Sequence, residues 1–155
     1  MRVPASVSRF LACRRIAVAG VSREGNLPAN FIFRRLKETG HDVVPVNPNA
    51  RTVEGTLAYP DLLAIPDPPQ ALMIASHPDV AVDLVRQAAT LGIQNVWFHR
   101  SFGSGSISQS ALEACAQLHI HPIVGGCPMM YAGKVDVAHH CFRWLLGLSH
   151  RVPAV

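Results

Sequence analysis

Five short apolar runs, separated by loops and helix-like segments, constrain the fold of this chain more than any other feature. Each run is rich in β-branched and other apolar residues, which is typical of strands buried on both faces of a parallel sheet. Pro45 is awkward in a central strand because proline has no N–H, so we expect the pairing of its strand to be interrupted there. The runs are residues 15–20 (RIAVAG), 42–46 (DVVPV), 71–75 (ALMIA), 94–98 (QNVWF) and 120–124 (IHPIV).

Segments with helical signals lie between these runs. A proline near the first turn and a glycine just past the end mark several of them, as expected at helix boundaries. We predict that Ser76 or Asp79 caps one helix and that Ser106 or Ser108 caps the next. The predicted helices fall within residues 6–13, 27–40, 76–91, 106–118 and 135–147.

This alternation predicts an α/β fold, a Rossmann-like three-layer sandwich with a mostly parallel sheet of about five strands. Residues 47–70 are rich in Pro, Asn and Gly, and we expect a loop there with one short strand around Val53 and one helical turn near Leu62. Because no repeat, linker or low-complexity segment divides the sequence, we expect residues 1–155 to form a single domain.

Composition narrows the class of ligand. Hydrophobic residues make up 49% of the chain and charged residues 15%, which is a core-forming balance. The formal net charge of +4 is spread without a basic run, so we expect a small anionic ligand and no nucleic acid. No signal peptide, membrane span or C-x-x-C pair is evident, and we expect a cytoplasmic protein with reduced thiols and no membrane partner.

Ligands of parallel α/β sheets bind outside the carboxyl ends of the strands. Gly20 follows the first strand directly, where a glycine lets the backbone approach a phosphate near helix N–H groups and the Ser22 hydroxyl. A plain strand-to-helix turn is the alternative, because the loop is neither G-x-G-x-x-G nor a Walker A loop. The loops at this edge are residues 20–27, 47–51, 76–78, 99–106 and 125–131.

The second strand ends in Asn47 and Pro48. NAD-binding proteins place an Asp or Glu near this point to hold the ribose hydroxyls, so Asn47 counts against NAD. Arg51 follows and leaves room for an additional phosphate near the ribose. The alternative for Arg51 is a solvated side chain beyond an Asn-Pro turn.

Four motifs occur in order along residues 14–131: RIAVAGVSRE, GHDVVPVNPNARTVEGTLAYPDL, VWFHRSFGSGS and GGCPMMY. Together they resemble the CoA-binding domain family, which shares its fold with the nucleotide-binding part of the succinyl-CoA synthetase α subunit. The resemblance implies that the first loop and the end of the second strand hold an adenine nucleotide. The candidate ligand-binding residues are therefore Gly20, Val21, Ser22, Asn47, Pro48, Arg51, Ser76 and His77.

The resemblance implies binding of coenzyme A or an acyl-CoA through its adenine nucleotide part, without catalysis. The larger synthetases use a phosphorylated histidine in a second domain, and that role transfers to no histidine of this chain. One departure is His99, where many relatives carry Gln. An NAD(P)-binding oxidoreductase-like protein and a structural subunit with a vestigial pocket are the alternatives. Whether the chain forms a homo-oligomer or binds a protein partner stays open.

The cysteines and histidines offer two further hypotheses. Cys127 lies near a predicted helix start, where a thiol can have a lowered pKa and form a mixed disulfide with CoA, and a buried inert thiol is the alternative. His139 with Cys127 or Cys141 suggests a metal site, but His139, His140 and Cys141 are adjacent and point in different directions on a helix. We therefore predict no metal, and no catalytic residues because no Ser–His–Asp order or carboxylate pair stands out.

Overall fold

The apolar runs form strands, and the segments between them form helices. The computed structural model describes residues 3–100 and 105–133, together with residues 141, 145 and 153. The strands are β1 (Arg15–Ala19), β2 (Asp42–Val46), β3 (Thr52–Val53), β4 (Thr56–Leu57), β5 (Ala71–Ile74), β6 (Asn95–Phe98) and β7 (Ile123–Val124). The α-helices are α1 (Ala5–Ala12), α2 (Pro28–Glu38), α3 (Ala81–Thr90) and α4 (Gln109–Gln117), and short 3-10 helices cover Pro78–Val80 and Pro128–Met130.

Five strands pair in parallel in the order β2-β1-β5-β6-β7, and β3 and β4 form a separate antiparallel hairpin. Alternate residues of β1 face opposite layers: Ile16 and Val18 pack with α1 and α2, whereas Ala17 and Ala19 pack with α3 and α4. Both faces of the sheet are therefore covered, which explains the unbroken apolar runs. The predicted Rossmann-like three-layer sandwich is confirmed.

The strand order places a topological switch point between β1 and β5. The chain leaves β1 for β2 on one side of it, then crosses to β5 on the other side, so β1 pairs with both neighbours. Helices that follow β1 and β5 therefore lie on opposite faces of the sheet. Such a switch point opens a crevice at the carboxyl ends of the two strands.

The prediction of interrupted pairing at Pro45 is wrong. Val18 pairs with Pro45 and Ala19 with Val46, so the ladder between β1 and β2 continues through the proline. The reason is that β2 is an edge strand, where a proline is tolerated when its nitrogen faces away from the neighbouring strand. The carbonyl of Pro45 also faces away from β1, because it accepts a hydrogen bond from Tyr59 N at 3.1 Å.

Two other local predictions change, and two are confirmed. Residues 47–70 contain two short strands instead of one. The single turn predicted near Leu62 is present, closed by a hydrogen bond from Ile65 N to Leu62 O at 3.3 Å. The last strand, predicted over residues 120–124, is only Ile123–Val124, because Pro122 has no N–H to pair. Of the two serines predicted to cap α4, Ser108 is the N-cap, because its hydroxyl accepts a hydrogen bond from Ala111 N at 3.2 Å.

The helix predicted over residues 135–147 lies outside the described residues, apart from residues 141 and 145. Within the part that is described, none of the helices combines the length and the apolar character that crossing a bilayer requires. The assignment of residues 1–155 to a single domain stays a prediction.

Candidate functional site

A cleft of about 390 Å³ opens at the switch point, at the carboxyl ends of β1, β2 and β5 and against α3. Its volume lies in the range of small-molecule sites. The wall combines apolar side chains with a few amides, a hydroxyl, an imidazole and two carboxylates. It is formed by Ala19, Gly20, Leu27, Val46, Asn47, Pro48, Asn49, Pro60, Asp61, Ala75, Ser76, His77, Val80, Asp83, Leu84 and Gln87.

Sequence reasoning found part of this wall. The structure brings together five of the predicted ligand-binding residues, namely Gly20, Asn47, Pro48, Ser76 and His77. Three others lie outside the wall: Val21 is fully buried in the core, the Ser22 hydroxyl accepts from Glu24 N at 3.1 Å, and Arg51 is exposed. The loops of residues 99–100, 105–106 and 125–131 do not contribute to it either.

Gly20 is required by the fold of the chain itself. Its φ of +103° is one that residues with a Cβ rarely adopt. A Cβ at this position would lie 2.6 Å from the Ala75 carbonyl oxygen and 2.8 Å from Ser76 N. The glycine therefore lets the turn after β1 pack on the main chain that follows β5, which brings these two walls of the cleft together.

Asn47 joins two loops of the cleft. Its side-chain amide donates to the Val21 carbonyl at 2.8 Å, and its Oδ1 accepts from Asn49 N at 2.7 Å. Because both ends of the amide are used within the chain, Asn47 fixes the loop after β1 relative to the loop after β2. Asn47 is a structural link whether or not it also contacts a ligand.

Sequence reasoning missed the group that holds the first loop, which consists of Asn30, Arg34 and Glu54. Asn30 is fully buried on α2, and its side chain bonds both the N–H and the carbonyl of Ser22, at 3.1 and 2.7 Å. Arg34 donates twice to the Gly25 carbonyl at 3.1 Å. An asparagine among the apolar positions of a helix was the available signal, since a buried amide needs partners.

One carboxylate oxygen connects these two side chains. Oε1 of Glu54 accepts from Asn30 Nδ2 and from Arg34, both at 2.7 Å. The hydrogen bond from Asn30, assisted by Arg34, holds the pKa of the Glu54 carboxyl below its ordinary value against the opposing effect of burial. Glu54 thereby ties the β3–β4 hairpin to the loop of residues 22–25.

Two carboxylates lie in the wall of the cleft. Asp61 accepts from Ala64 N at 2.8 Å, and the exposed Asp83 pairs with Arg86 at 3.4 Å. The described residues of the wall include no Lys or Arg. Arg23 and Arg51 are exposed on the loops after β1 and β2. This arrangement suits an uncharged group inside the cleft and a charged group outside it.

Ser76 and His77 follow β5 and differ in their bonding. The predicted cap at Ser76 or Asp79 is wrong, because His77 is the N-cap of the 3-10 helix that leads into α3 and its Nδ1 accepts from Asp79 N at 3.4 Å. The Ser76 hydroxyl oxygen is buried and has no hydrogen-bond partner among the described residues.

The structure favours the inert alternative for Cys127. Burial raises the pKa of its thiol to about 12, so the thiolate is scarce at neutral pH.

No group of three or more potential metal ligands occurs in the part of the chain that is described. His139 and His140 lie outside that part, and Cys141 is exposed.

His99 is a buried titratable group outside the cleft wall. Burial lowers its pKa from 6.5 to about 4, because a buried imidazolium loses hydration. The unfolded chain therefore takes up this proton first as pH falls, so the stability contributed by neutral His99 is lost from pH 6.5 down to about 4. Between pH 7.5 and pH 5 we expect wild type to lose about 2 kcal/mol more than a His99→Gln variant.

Thermal unfolding followed by circular dichroism at pH 7.5, 6 and 5 checks this expectation. A difference of roughly 4–8 °C in the pH-dependent change of melting temperature corresponds to that free energy. His121 is exposed, so His121→Gln is the matched control and should leave the wild-type pH dependence in place. Equal pH dependence in wild type and His99→Gln would contradict the assignment.

Comparison with known proteins identifies the family. A family model described as CoA binding domain matches residues 14–133. The chain belongs to the CoA-binding domain family.

This CoA-binding domain is similar to one region of a much larger enzyme. It is 32% identical over 83 residues to the ADP-forming acetate–CoA ligase II of Archaeoglobus fulgidus. The matched region covers 52% of this chain and 12% of the ligase, so the chain spans a small part of that relative.

Several solved structures share the fold of the CoA-binding domain. A hypothetical protein from Pyrococcus horikoshii OT3 matches with a TM-score of 0.72 and 26% identity, over 82% of this chain and 92% of that one. A protein redesigned for binding matches with a TM-score of 0.71 and 26% identity, over 95% and 94% of the two chains. The acetyl-coenzyme A synthetase 1 of Ca. Korarchaeum cryptofilum shares the fold at 21% identity and a TM-score of 0.61, over 71% of this chain and 25% of the synthetase.

Proposed function

We propose that this domain binds coenzyme A or an acyl-CoA in the cleft at the switch point, through the adenine nucleotide part of the ligand. The observation that carries the proposal is the position of the cleft. It lies where the first loop, the Asn47-Pro48 strand end and the Ser76-His77 segment meet, and the chain belongs to the CoA-binding domain family. Two further cavities in the described part of the chain lie away from these loops.

The wall of the cleft supports a nucleotide with its phosphates outside. Apolar side chains from Leu27, Val80 and Leu84 offer surface for a planar ring. The described wall has no Lys or Arg to hold phosphates inside the cleft, whereas Arg23 and Arg51 offer positive charge on the adjoining loops. The residues present therefore fit a nucleotide that enters with its base and ribose.

Asn47 supports CoA over NAD. The acidic residue that holds the ribose hydroxyls in NAD-binding proteins is absent at this strand end. The amide that replaces it is already engaged with Val21 and Asn49. An NAD(P)-binding oxidoreductase-like role thus lacks its usual ribose contact.

The side chains of the cleft support binding without catalysis. An activated serine needs its hydroxyl on a base, but the Ser76 hydroxyl is not bonded to the neighbouring imidazole of His77. That imidazole instead accepts a hydrogen bond at Nδ1 from Asp79 N, at 3.4 Å. The ligase activity of the larger relative is therefore not part of the proposal for this chain.

Saturation with CoA should raise the melting temperature more than NAD or NADP at equal concentration. A ligand at 100 times its dissociation constant stabilises by about 2.7 kcal/mol, which corresponds to roughly 5–10 °C for a domain of this size. Differential scanning fluorimetry with CoA, acetyl-CoA, NAD and NADP provides the measurement. A larger shift with NAD than with CoA would refute the proposal. Formation of a thioester from CoA, ATP and acetate would show that the chain has ligase activity, which would refute the proposed role of binding without catalysis.

A pair of charge variants locates the binding site in the same experiment. Val80 lies in the cleft wall and is 47% exposed, so Val80→Glu adds a negative charge there without disturbing the core, and the CoA-induced shift should nearly vanish. Leu63 is 55% exposed outside the wall, so Leu63→Glu makes the same charge change and should retain the shift. An undiminished shift in Val80→Glu would place the ligand elsewhere.

A further inference from the structure

The Ser76 hydroxyl is the one buried side-chain polar group of the cleft wall that the fold does not use among the described residues. Its oxygen is buried without a hydrogen-bond partner. The neighbouring segment is held firmly, because the turn at Gly20 packs on Ala75 and Ser76 and because His77 caps the following 3-10 helix. The chain therefore fixes the position of Ser76 without giving its hydroxyl a partner.

A buried polar atom without a partner usually marks the position of a ligand or an ordered water. Two other buried atoms share this property, Arg15 Nε and Arg35 Nε, but each belongs to a guanidinium that forms an ion pair through NH1. Neither arginine lines the cleft. Ser76 differs from both because it lies in the wall of the candidate site and has no other polar group.

We propose that Ser76 is a specificity-determining residue whose hydroxyl bonds the nucleoside part, adenine or ribose, of the bound ligand. This inference rests on the proposed function. Rotation about χ1 turns the small side chain of Ser76 toward the cleft, where its hydroxyl can donate or accept. The described wall of the cleft holds no Lys or Arg that could neutralise a phosphate beside this hydroxyl, which favours the uncharged nucleoside as its partner.

The inference predicts opposite effects on stability and on affinity. Removing a buried hydroxyl without a partner costs the free protein nothing, so Ser76→Ala should melt at the wild-type temperature or above it. The same variant should bind CoA roughly 3- to 10-fold more weakly, because one neutral hydrogen bond to the ligand is lost. A hydroxyl with a merely structural role would lower stability instead.

Ser108→Ala is the matched control. Its hydroxyl caps α4 by accepting from Ala111 N at 3.2 Å, and Ser108 lies outside the cleft wall. This variant should melt at a lower temperature than wild type and bind CoA with wild-type affinity. Together, the two serine variants separate a ligand contact from a contact that stabilises the fold.

The experiment is calorimetric titration of wild type and both variants with CoA and ADP, with adenosine titrated by NMR. We expect the affinity of Ser76→Ala for all three ligands to fall by the same factor. Wild-type affinity for CoA in Ser76→Ala, or a melting temperature lowered as in Ser108→Ala, would overturn the inference while leaving the proposed function in place. Weakening of CoA and ADP but not of adenosine would place the hydroxyl on a phosphate and also overturn it. A wild-type protein that binds none of the three ligands would refute the proposed function itself.

Discussion

Replacing Gly20 by alanine should lower the free energy of unfolding by roughly 3–6 kcal/mol. Two causes add at this position. The φ of +103° is strained for any residue with a Cβ, and the new methyl group would lie 2.6 Å from the Ala75 carbonyl oxygen, which is main chain and cannot move aside cheaply. Urea denaturation followed by circular dichroism gives the free energy directly.

Gly25→Ala is the matched control for this prediction. Gly25 also has a positive φ, of +76°, but a Cβ there would meet nothing within 4 Å. It should therefore cost only the backbone strain, about 1–2 kcal/mol. Equal losses in the two variants would show that close packing on Ala75 does not matter at Gly20.

Replacing Asn30 by alanine should lower the free energy of unfolding by roughly 3–5 kcal/mol. The change removes the partners of the Ser22 N–H and carbonyl and one of the two partners of the Glu54 carboxylate. Asn30 is fully buried, so water does not readily replace these bonds. Urea denaturation measures the loss, and amide hydrogen exchange should become faster in residues 22–25.

Asn26→Ala makes the same substitution at an exposed position of the neighbouring loop and should change stability by less than about 0.5 kcal/mol. Glu54→Gln tests the connection further. In an Asn30→Ala background it should cost less than it does alone, because the two side chains bond each other. Additive losses, or an Asn30→Ala loss below about 1 kcal/mol, would show that this group does not hold the loop.

The layered fold could be predicted because burial on both faces leaves a direct trace in the sequence. The runs IAVA of β1 and ALMI of β5 are apolar throughout, since successive residues face helix layers on opposite sides of the sheet. The position of Pro45 could not be interpreted in the same way. Whether a proline interrupts a strand depends on which strands pair with it on each side. The order of the strands in the sheet cannot be derived from a local sequence pattern.

The candidate site could be predicted only in outline. The rule that ligands bind at the carboxyl ends of strands selected loops that contain Gly20, Asn47 and Ser76, and these residues line the cleft. It could not exclude Val21, whose side chain turns into the core, or Ser22, whose hydroxyl bonds its own loop. The Asn30–Glu54 bond spans 24 residues of sequence, and without the fold nothing connects the two positions.

The two edges of the sheet determine how this protein can meet copies of itself. At one edge, Pro45 presents no N–H, and its carbonyl is already taken by Tyr59. At the other edge, β7 offers only Ile123–Val124, too short a strand to guide the addition of another. The described sheet is thus protected against growth by strand addition, the usual route to edge-to-edge aggregation. Copies of the chain are therefore not expected to join through either edge of this five-stranded sheet.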